Sequence, residues 1–275
     1  MKLKAVAVSL AVIVFVVLLY WPTFRWLVLS WLSNPYYSHG FLVPLVSGFF
    51  VWIKRDEIKM VEPSIVGAFI LMVGASAYIL GFVWDMRFLS ALSLLIVLGG
   101  LSLSFLGIKA TRAMIFPLCF LIFMIPLLFI NEIGFYLQSI SVSCSAWILE
   151  NVGLPITVAS PEIYVGDTVF TIGLPCSGIN TVIALMTLAA IYAYILRGAV
   201  YKRALLFVVA LPIAILANIL RVTSIILVAN YRGVESAMGL FHDVSSPVFF
   251  LLAFLCLVLI GRVVGCRLGS TALRS

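Results

Sequence analysis

Apolar runs of about 20 residues recur along this chain, separated by short stretches rich in Pro, Gly and charge. Only a helix can carry such a run through lipid, because it pairs every backbone N–H and C=O within the segment. The sequence is 64% hydrophobic and 10% charged, with a mean hydropathy of +1.26. A soluble domain of this length needs about 25% charged residues. We therefore read an all-α polytopic membrane protein forming a single transmembrane domain over residues 1–275.

Eight spans are expected, at 3–20, 41–53, 64–84, 88–106, 113–130, 179–196, 204–230 and 246–261. The first competes with a signal peptide, since Lys2 and Lys4 precede it. No small-residue cleavage site follows, and the run ends at the interfacial anchor Tyr20-Trp21-Pro22, which favours a retained helix. Trp26, Trp31, Tyr36 and Tyr37 extend that aromatic belt.

Charge sets the orientation. With a cytoplasmic N-terminus, Lys2, Lys4, Lys54, Arg55, Lys59, Lys109, Arg112, Arg197, Lys202, Arg203, Arg262, Arg267 and Arg274 fall inside, 13 of the 17 Lys and Arg residues. Arg25, Arg87, Arg221 and Arg232 fall outside. A bias of this size places both termini in the cytoplasm of a multi-pass cell-membrane protein. The net charge of +7 is therefore topological and does not point to nucleic acid. The moderately apolar segment 133–150 carries Gln138, Ser139, Ser141, Ser143 and Ser145. A single crossing there would invert every later loop, so it is read as an outer interfacial or re-entrant helix.

The chemistry gathers on the outer side. Leu174-Pro175-Cys176-Ser177-Gly178 opens the sixth span, and a thiol in the first turn of a helix meets free N–H groups that favour thiolate. Arg221 lies 18 residues past Arg203, roughly 27 Å up the seventh span. A guanidinium at that depth is costly unless paired or near water, so it is either functional or snorkelling. His242 beside Asp243 precedes the eighth span and reads as a solvated interfacial residue or as a base; His39 is similar. Asn218 shares a helix face with Arg221 and either orients it or packs between helices. Residues 162–173 form a small outer hairpin, with Ile163, Tyr164 and Val165 on one strand, a Gly166-Asp167 turn, and Val169–Ile172 on the other.

Two histidines and no C-x-x-C pair give no metal site, and no nucleotide fingerprint or other cofactor motif occurs. Cys119 and Cys256 lie within spans and read as inert core residues. Cys144 and Cys176 fall on one side, so a disulfide between them is an alternative to two free thiols.

Four blocks resemble the exosortase/archaeosortase family of membrane-embedded cysteine transpeptidases. They are Tyr37-Ser38-His39-Gly40-Phe41-Leu42-Val43-Pro44-Leu45, Pro175-Cys176-Ser177-Gly178-Ile179, Pro212-Ile213-Ala214-Ile215-Leu216-Ala217-Asn218-Ile219-Leu220-Arg221 and Phe241-His242-Asp243. The resemblance covers about residues 36 to 262. It implies a nucleophile at Cys176, an essential Arg221 and a third polar residue at His242, with Ser177, Gly178, Asn218, Asp243 and His39 in support. The implied substrates are secreted proteins with a C-terminal motif, one transmembrane helix and a basic end. The implied reaction is cleavage through a thioester and transfer of the new C-terminus to a membrane lipid. Many bacterial members have Arg or Ser where this chain has Asn180. The other readings are a hydrolytic cysteine endoprotease without transfer, and a transporter or scaffold. The near absence of charge in the spans below Arg221 argues against a transport path.

Overall fold

The computed structural model describes residues 2–57, 64–166 and 168–268. Lys59, Arg274 and Asp167 lie outside the described residues. Two compact units divide at residue 128, Met1–Leu128 and Phe129–Leu273.

The first unit is helical. Helix α1 (Lys2–Leu19) passes into α2 (Trp21–Ser33) through a 65° bend at Tyr20, where Pro22 opens the second helix. A short turn, Pro35–Phe41, leads to α3 (Leu42–Ile53), and α4 (Ile65–Val83) and α5 (Arg87–Phe120) form a hairpin. The Tyr20 hydroxyl meets Ser93 Oγ at 2.9 Å, and Ser47 Oγ donates to the Pro117 carbonyl at 2.8 Å. Trp31 Nε1 donates to the Met124 carbonyl at 2.8 Å.

Backbone proximity holds α4 to α5. Gly67, Gly74 and Gly81 recur every seventh residue of α4, and each faces α5 where a side chain would collide. A Cβ at Gly74 would sit 2.7 Å from Val97 Cγ2, and one at Gly81 2.6 Å from Ser90 Oγ. Lipid supplies no hydrophobic force between helices, so such close approach, with its dispersion contacts, holds them together. Gly74→Leu is expected to destabilise the protein in detergent by about 1–3 kcal/mol through overpacking. Gly99→Leu, at a position with no atom within 4 Å of a built Cβ, should not. Equal melting temperatures for the two variants would refute the interface.

The second unit begins with α6 (Ile130–Asn151) and a three-stranded antiparallel sheet, β1 (Ile156–Ala159), β2 (Glu162–Val165) and β3 (Thr168–Thr171). The alternation expected of the hairpin is present: Ile163 and Val165 on β2 and Phe170 on β3 are buried. They join Val142 and Leu149 of α6 and, from α8 (Val200–Arg232), Val222, Ile225 and Ile226 in one apolar cluster. The first strand went unforeseen, since Ile156–Ala159 is mostly exposed and does not alternate.

Helix α7 (Ile179–Ile195) is 17 residues, about 26 Å long. It ends at the short strand β4 (Leu196–Arg197). After α8 come a one-turn helix α9 (Val234–Ser236), a wide turn at Ala237–Phe241 broken at Gly239, and α10 (His242–Val263). Strand β5 (Arg267–Leu268) pairs with β4, and Lys202 Nζ donates to the Val264 carbonyl at 2.8 Å. Arg197, Lys202 and Arg262 thus share one end of this unit, and the sheet lies off the other end of α7.

Among the described residues five helices are long and apolar enough to cross a membrane, six if the bent α1–α2 pair is one span. The first expected span, 3–20, is α1, and a further helix, α2, follows it across the bend at Tyr20. The fourth and fifth lie in α5 on either side of Gly107, where φ is 74° and the chain folds back so that Ser102 Oγ meets Thr111 Oγ1 at 3.0 Å and Met114 Sδ at 3.9 Å. The sixth, α7, is short for a span. The protein remains an all-α polytopic membrane chain with a small sheet.

Candidate active site

Cys176, Arg221 and His242 converge at the sheet end of the second unit. Cys176 Sγ lies 3.8 Å from His242 Nε2, and Arg221 Nη2 lies 3.4 Å from the same nitrogen. A thiol at that distance can pass its proton to the imidazole. On the far side of the ring, His242 Nδ1 faces Asp243 Oδ1 at 3.4 Å. That contact puts a proton on Nδ1 and leaves the Nε2 lone pair toward the thiol, which is the tautomer a base needs. Asp243 is exposed, so the contact is a weak orienter.

The local chain explains how the thiol is presented. Pro175 fixes a tight turn, Leu174–Cys176, and α7 starts only at Ile179. Gly178 separates them at φ 92°, a conformation that costs L-residues about 1–2 kcal/mol. Its missing Cβ also makes room: a carbon there would lie 2.7 Å from Asn218 Cγ. Cys176 is thus not in the first turn of α7, as its sequence position suggested, and its own N–H is bonded to the Gly173 carbonyl at 2.9 Å. The start of α7 therefore does not offer its free N–H groups to this thiol, whose side-chain neighbour is His242. The Ser177 N–H is likewise used, on the Leu174 carbonyl.

Asn218 does not orient Arg221. Its Nδ2 donates to the Cys176 carbonyl at 3.0 Å and to Ser141 Oγ at 2.9 Å, so it fixes the backbone of the thiol. Because the Cys176 carbonyl can only accept, this amide cannot be flipped. The partner of Arg221 is instead Ser245, whose Oγ receives Arg221 Nε at 3.4 Å and donates to the His242 carbonyl at 2.9 Å. One hydroxyl thereby ties the guanidinium to the first turn of α10.

Sequence reasoning also missed the role of α6. Gln138, Ser141 and Ser145 are buried on one face of that helix, whereas Ser139 and Ser143 are exposed. Gln138 donates to the Ile172 carbonyl, Ser141 to Ser177 at 3.4 Å, and Ser145 to Ile219 at 3.1 Å. The spacing of three and then four was the available signal, since it selects one helix face. The segment expected to lie in the interface therefore forms a wall of the site.

Arg221 is only 7% exposed, and among the described residues no carboxylate pairs with it. A buried, uncompensated guanidinium is complementary to negative charge that arrives or develops beside it.

Other candidates fall elsewhere. His39 lies in the Pro35–Phe41 turn of the first unit, near Tyr37, with its Nε2 buried and no hydrogen-bond partner for that atom among the described residues. Cys144 and Cys176 are both free thiols. Cys119 and Cys256 are exposed rather than core residues, because each sits on the outward face of its helix.

In comparison with known proteins, the family model described as transmembrane exosortase (Exosortase_EpsH) aligns with residues 31–259. That range takes in Cys176, Asn218, Arg221, His242 and Ser245. No curated protein and no solved structure matches the chain.

Proposed function

The chain belongs to the transmembrane exosortase family, and from that premise we propose that it is a cysteine transpeptidase working through Cys176, Arg221 and His242. Its substrates are secreted proteins whose C-terminal tail carries a short motif, a membrane helix and a basic end. The observation that carries the assignment of residues is the shared contact on His242 Nε2, with the thiol on one side and, on the other, a buried guanidinium that no carboxylate among the described residues pairs with.

The Cys176 thiol gives its proton to His242 Nε2 as sulfur attacks the carbonyl at the membrane end of the motif. A tetrahedral oxyanion forms. The backbone N–H groups of Cys176 and Ser177 are already bonded, so Arg221 is the donor left to meet it. As the intermediate collapses, the C–N bond breaks, His242 returns its proton to the leaving amine, and the tail departs. A thioester on Cys176 remains. An amine or hydroxyl on a lipid headgroup then attacks it, His242 takes that proton, and the thiolate is released. Ser177, Gly178, Asn218, Ser141 and Ser245 position these groups without touching the reacting atoms.

Mass spectrometry of a co-expressed tail-bearing secreted protein tests the reaction. Loss of the tail with a lipid adduct on the new C-terminus is expected. A free carboxylate would leave cleavage and remove the transfer step; an intact tail would overturn the proposal.

The site faces the outside of the cell in this reading. Support comes from the basic residues at the opposite end of α7 and from the excess of Lys and Arg in alternate loops. At about 26 Å, α7 is slightly shorter than the ~30 Å hydrocarbon, which puts Cys176 close to its edge. A variant whose sole cysteine is Cys176 should be labelled by an impermeant maleimide on intact cells. Labelling only after permeabilisation would reverse the orientation.

A further inference from the structure

Beside the reacting atoms lies a cavity of about 140 Å³ in which Cys176 and His242 form part of the wall. The rest of the wall is almost entirely hydrocarbon: Val169 and Ile172 at the sheet, Val222, Ile225 and Ile226 on α8, and Met238 in the turn before α10. Its size is near that of a dry protein cavity of about 150 Å³ that binds benzene. It falls below the roughly 300 Å³ at which small-molecule sites begin. It has room for one side chain of about six carbon atoms.

Helix direction decides which side chain that is. Helices α7 and α10 both start at the site and run away from the sheet. One turn further along them a second cavity of about 310 Å³ opens between Asn180, Thr181, Ser246 and Phe250. A substrate tail that leaves as a membrane helix must lie along α7 and α10, on the side of this second cavity. The portion retained on the thioester must then lie on the sheet side. We propose that the 140 Å³ cavity is the side-chain subsite for the residue whose carbonyl Cys176 attacks, and that it selects a compact apolar side chain. This proposal rests on the acyl-transfer reading given above. It assigns Ile225 and Val169 as specificity-determining residues. A charged side chain is disfavoured because the lining is almost entirely hydrocarbon and does not repay its desolvation.

Acyl-amino-acid chloromethyl ketones test this without knowledge of the natural motif. Cysteine sulfur displaces chloride from the reagent's methylene carbon, the thiol proton is lost, and the adjoining side chain must fit the subsite. The purified full chain in detergent is treated with N-acetyl alanyl, leucyl, tryptophanyl, aspartyl and lysyl chloromethyl ketones. Adduct formation at Cys176 is followed by mass spectrometry, with rates normalised to free cysteine. The leucyl reagent should react at least about tenfold faster than the alanyl one, since a single methylene in such a pocket is worth about 10- to 200-fold. The tryptophanyl, aspartyl and lysyl reagents should be slower than the alanyl one. Ile225→Ala should raise the Trp-to-Leu rate ratio about tenfold, and Val169→Trp, at a half-exposed position, should lower the Leu-to-Ala ratio. Iodoacetamide carries no side chain and gauges the thiol itself. Normal labelling by iodoacetamide with no discrimination among the ketones overturns the subsite alone. No labelling of Cys176 by iodoacetamide removes the nucleophile, and both readings fall.

Discussion

Cys176→Ser is expected to abolish tail release, by at least about 10³-fold, while leaving the protein folded in detergent. The fold should survive because serine is close to cysteine in size and the local geometry belongs to the backbone. Gly178 holds its left-handed conformation and Asn218 grips the residue-176 carbonyl whatever the side chain. Activity should not survive, because an alkoxide is far harder to form than a thiolate, and a lone imidazole with an exposed carboxylate partner is a modest base. Cys119→Ser and Cys256→Ser should retain wild-type activity, since both thiols are exposed on their helices. Processing by Cys176→Ser at the wild-type rate would end the case for covalent catalysis.

Arg221→Lys should reduce tail release by roughly 10²–10³-fold, the usual consequence of losing an oxyanion donor. Lysine keeps the charge but not the planar fork, so it cannot meet Ser245 Oγ and the space beside His242 Nε2 together. Arg221→Met should be weaker still in activity, yet equal or about 1 kcal/mol greater in stability. The guanidinium is buried with no carboxylate beside it among the described residues, and replacing such an ion by hydrocarbon removes a desolvation penalty. Paired measurements of tail release and melting temperature separate this from a structural role. A structural arginine would lose stability in the Met variant, and a snorkelling one would function as lysine. Wild-type turnover by Arg221→Lys would leave only the Cys176–His242 pair to do the chemistry.

That Cys176, Arg221 and His242 come together was legible in the sequence, because the charge pattern places all three at one depth on one side. Their supports were harder to read. Ser141, Ser145 and Ser245 each have a hydroxyl that is equally at home facing lipid headgroups, water or a backbone carbonyl, so sequence alone gives them no direction. For Asn218 the sequence left open whether it orients Arg221 or packs between helices, and it could not name the Cys176 carbonyl, which comes from a turn 42 residues away. Ser246-Pro247 reads as a helix start, yet α10 begins four residues earlier at His242, where tertiary contacts from Arg221 and Cys176 hold the first turn. The fourth and fifth spans were separable by pattern, and the structure separates them at Gly107, whose φ of 74° turns the chain back so that Ser102 meets Thr111.

The polar grip around the thiol is directed largely at main-chain oxygen. Gln138, Ser141, Ser145 and Asn218 reach the carbonyls of Ile172, Ser177, Ile219 and Cys176, and Asn218 also reaches the Ser141 hydroxyl. Positions 172 and 219 can therefore drift among apolar residues over evolutionary time without loosening the catalytic geometry. The donors have no such freedom, and a one-residue insertion between Gln138 and Ser145 would rotate the donors on one side of it by about 100° relative to those on the other. Tolerance of substitution and intolerance of insertion are thus built into the same helix.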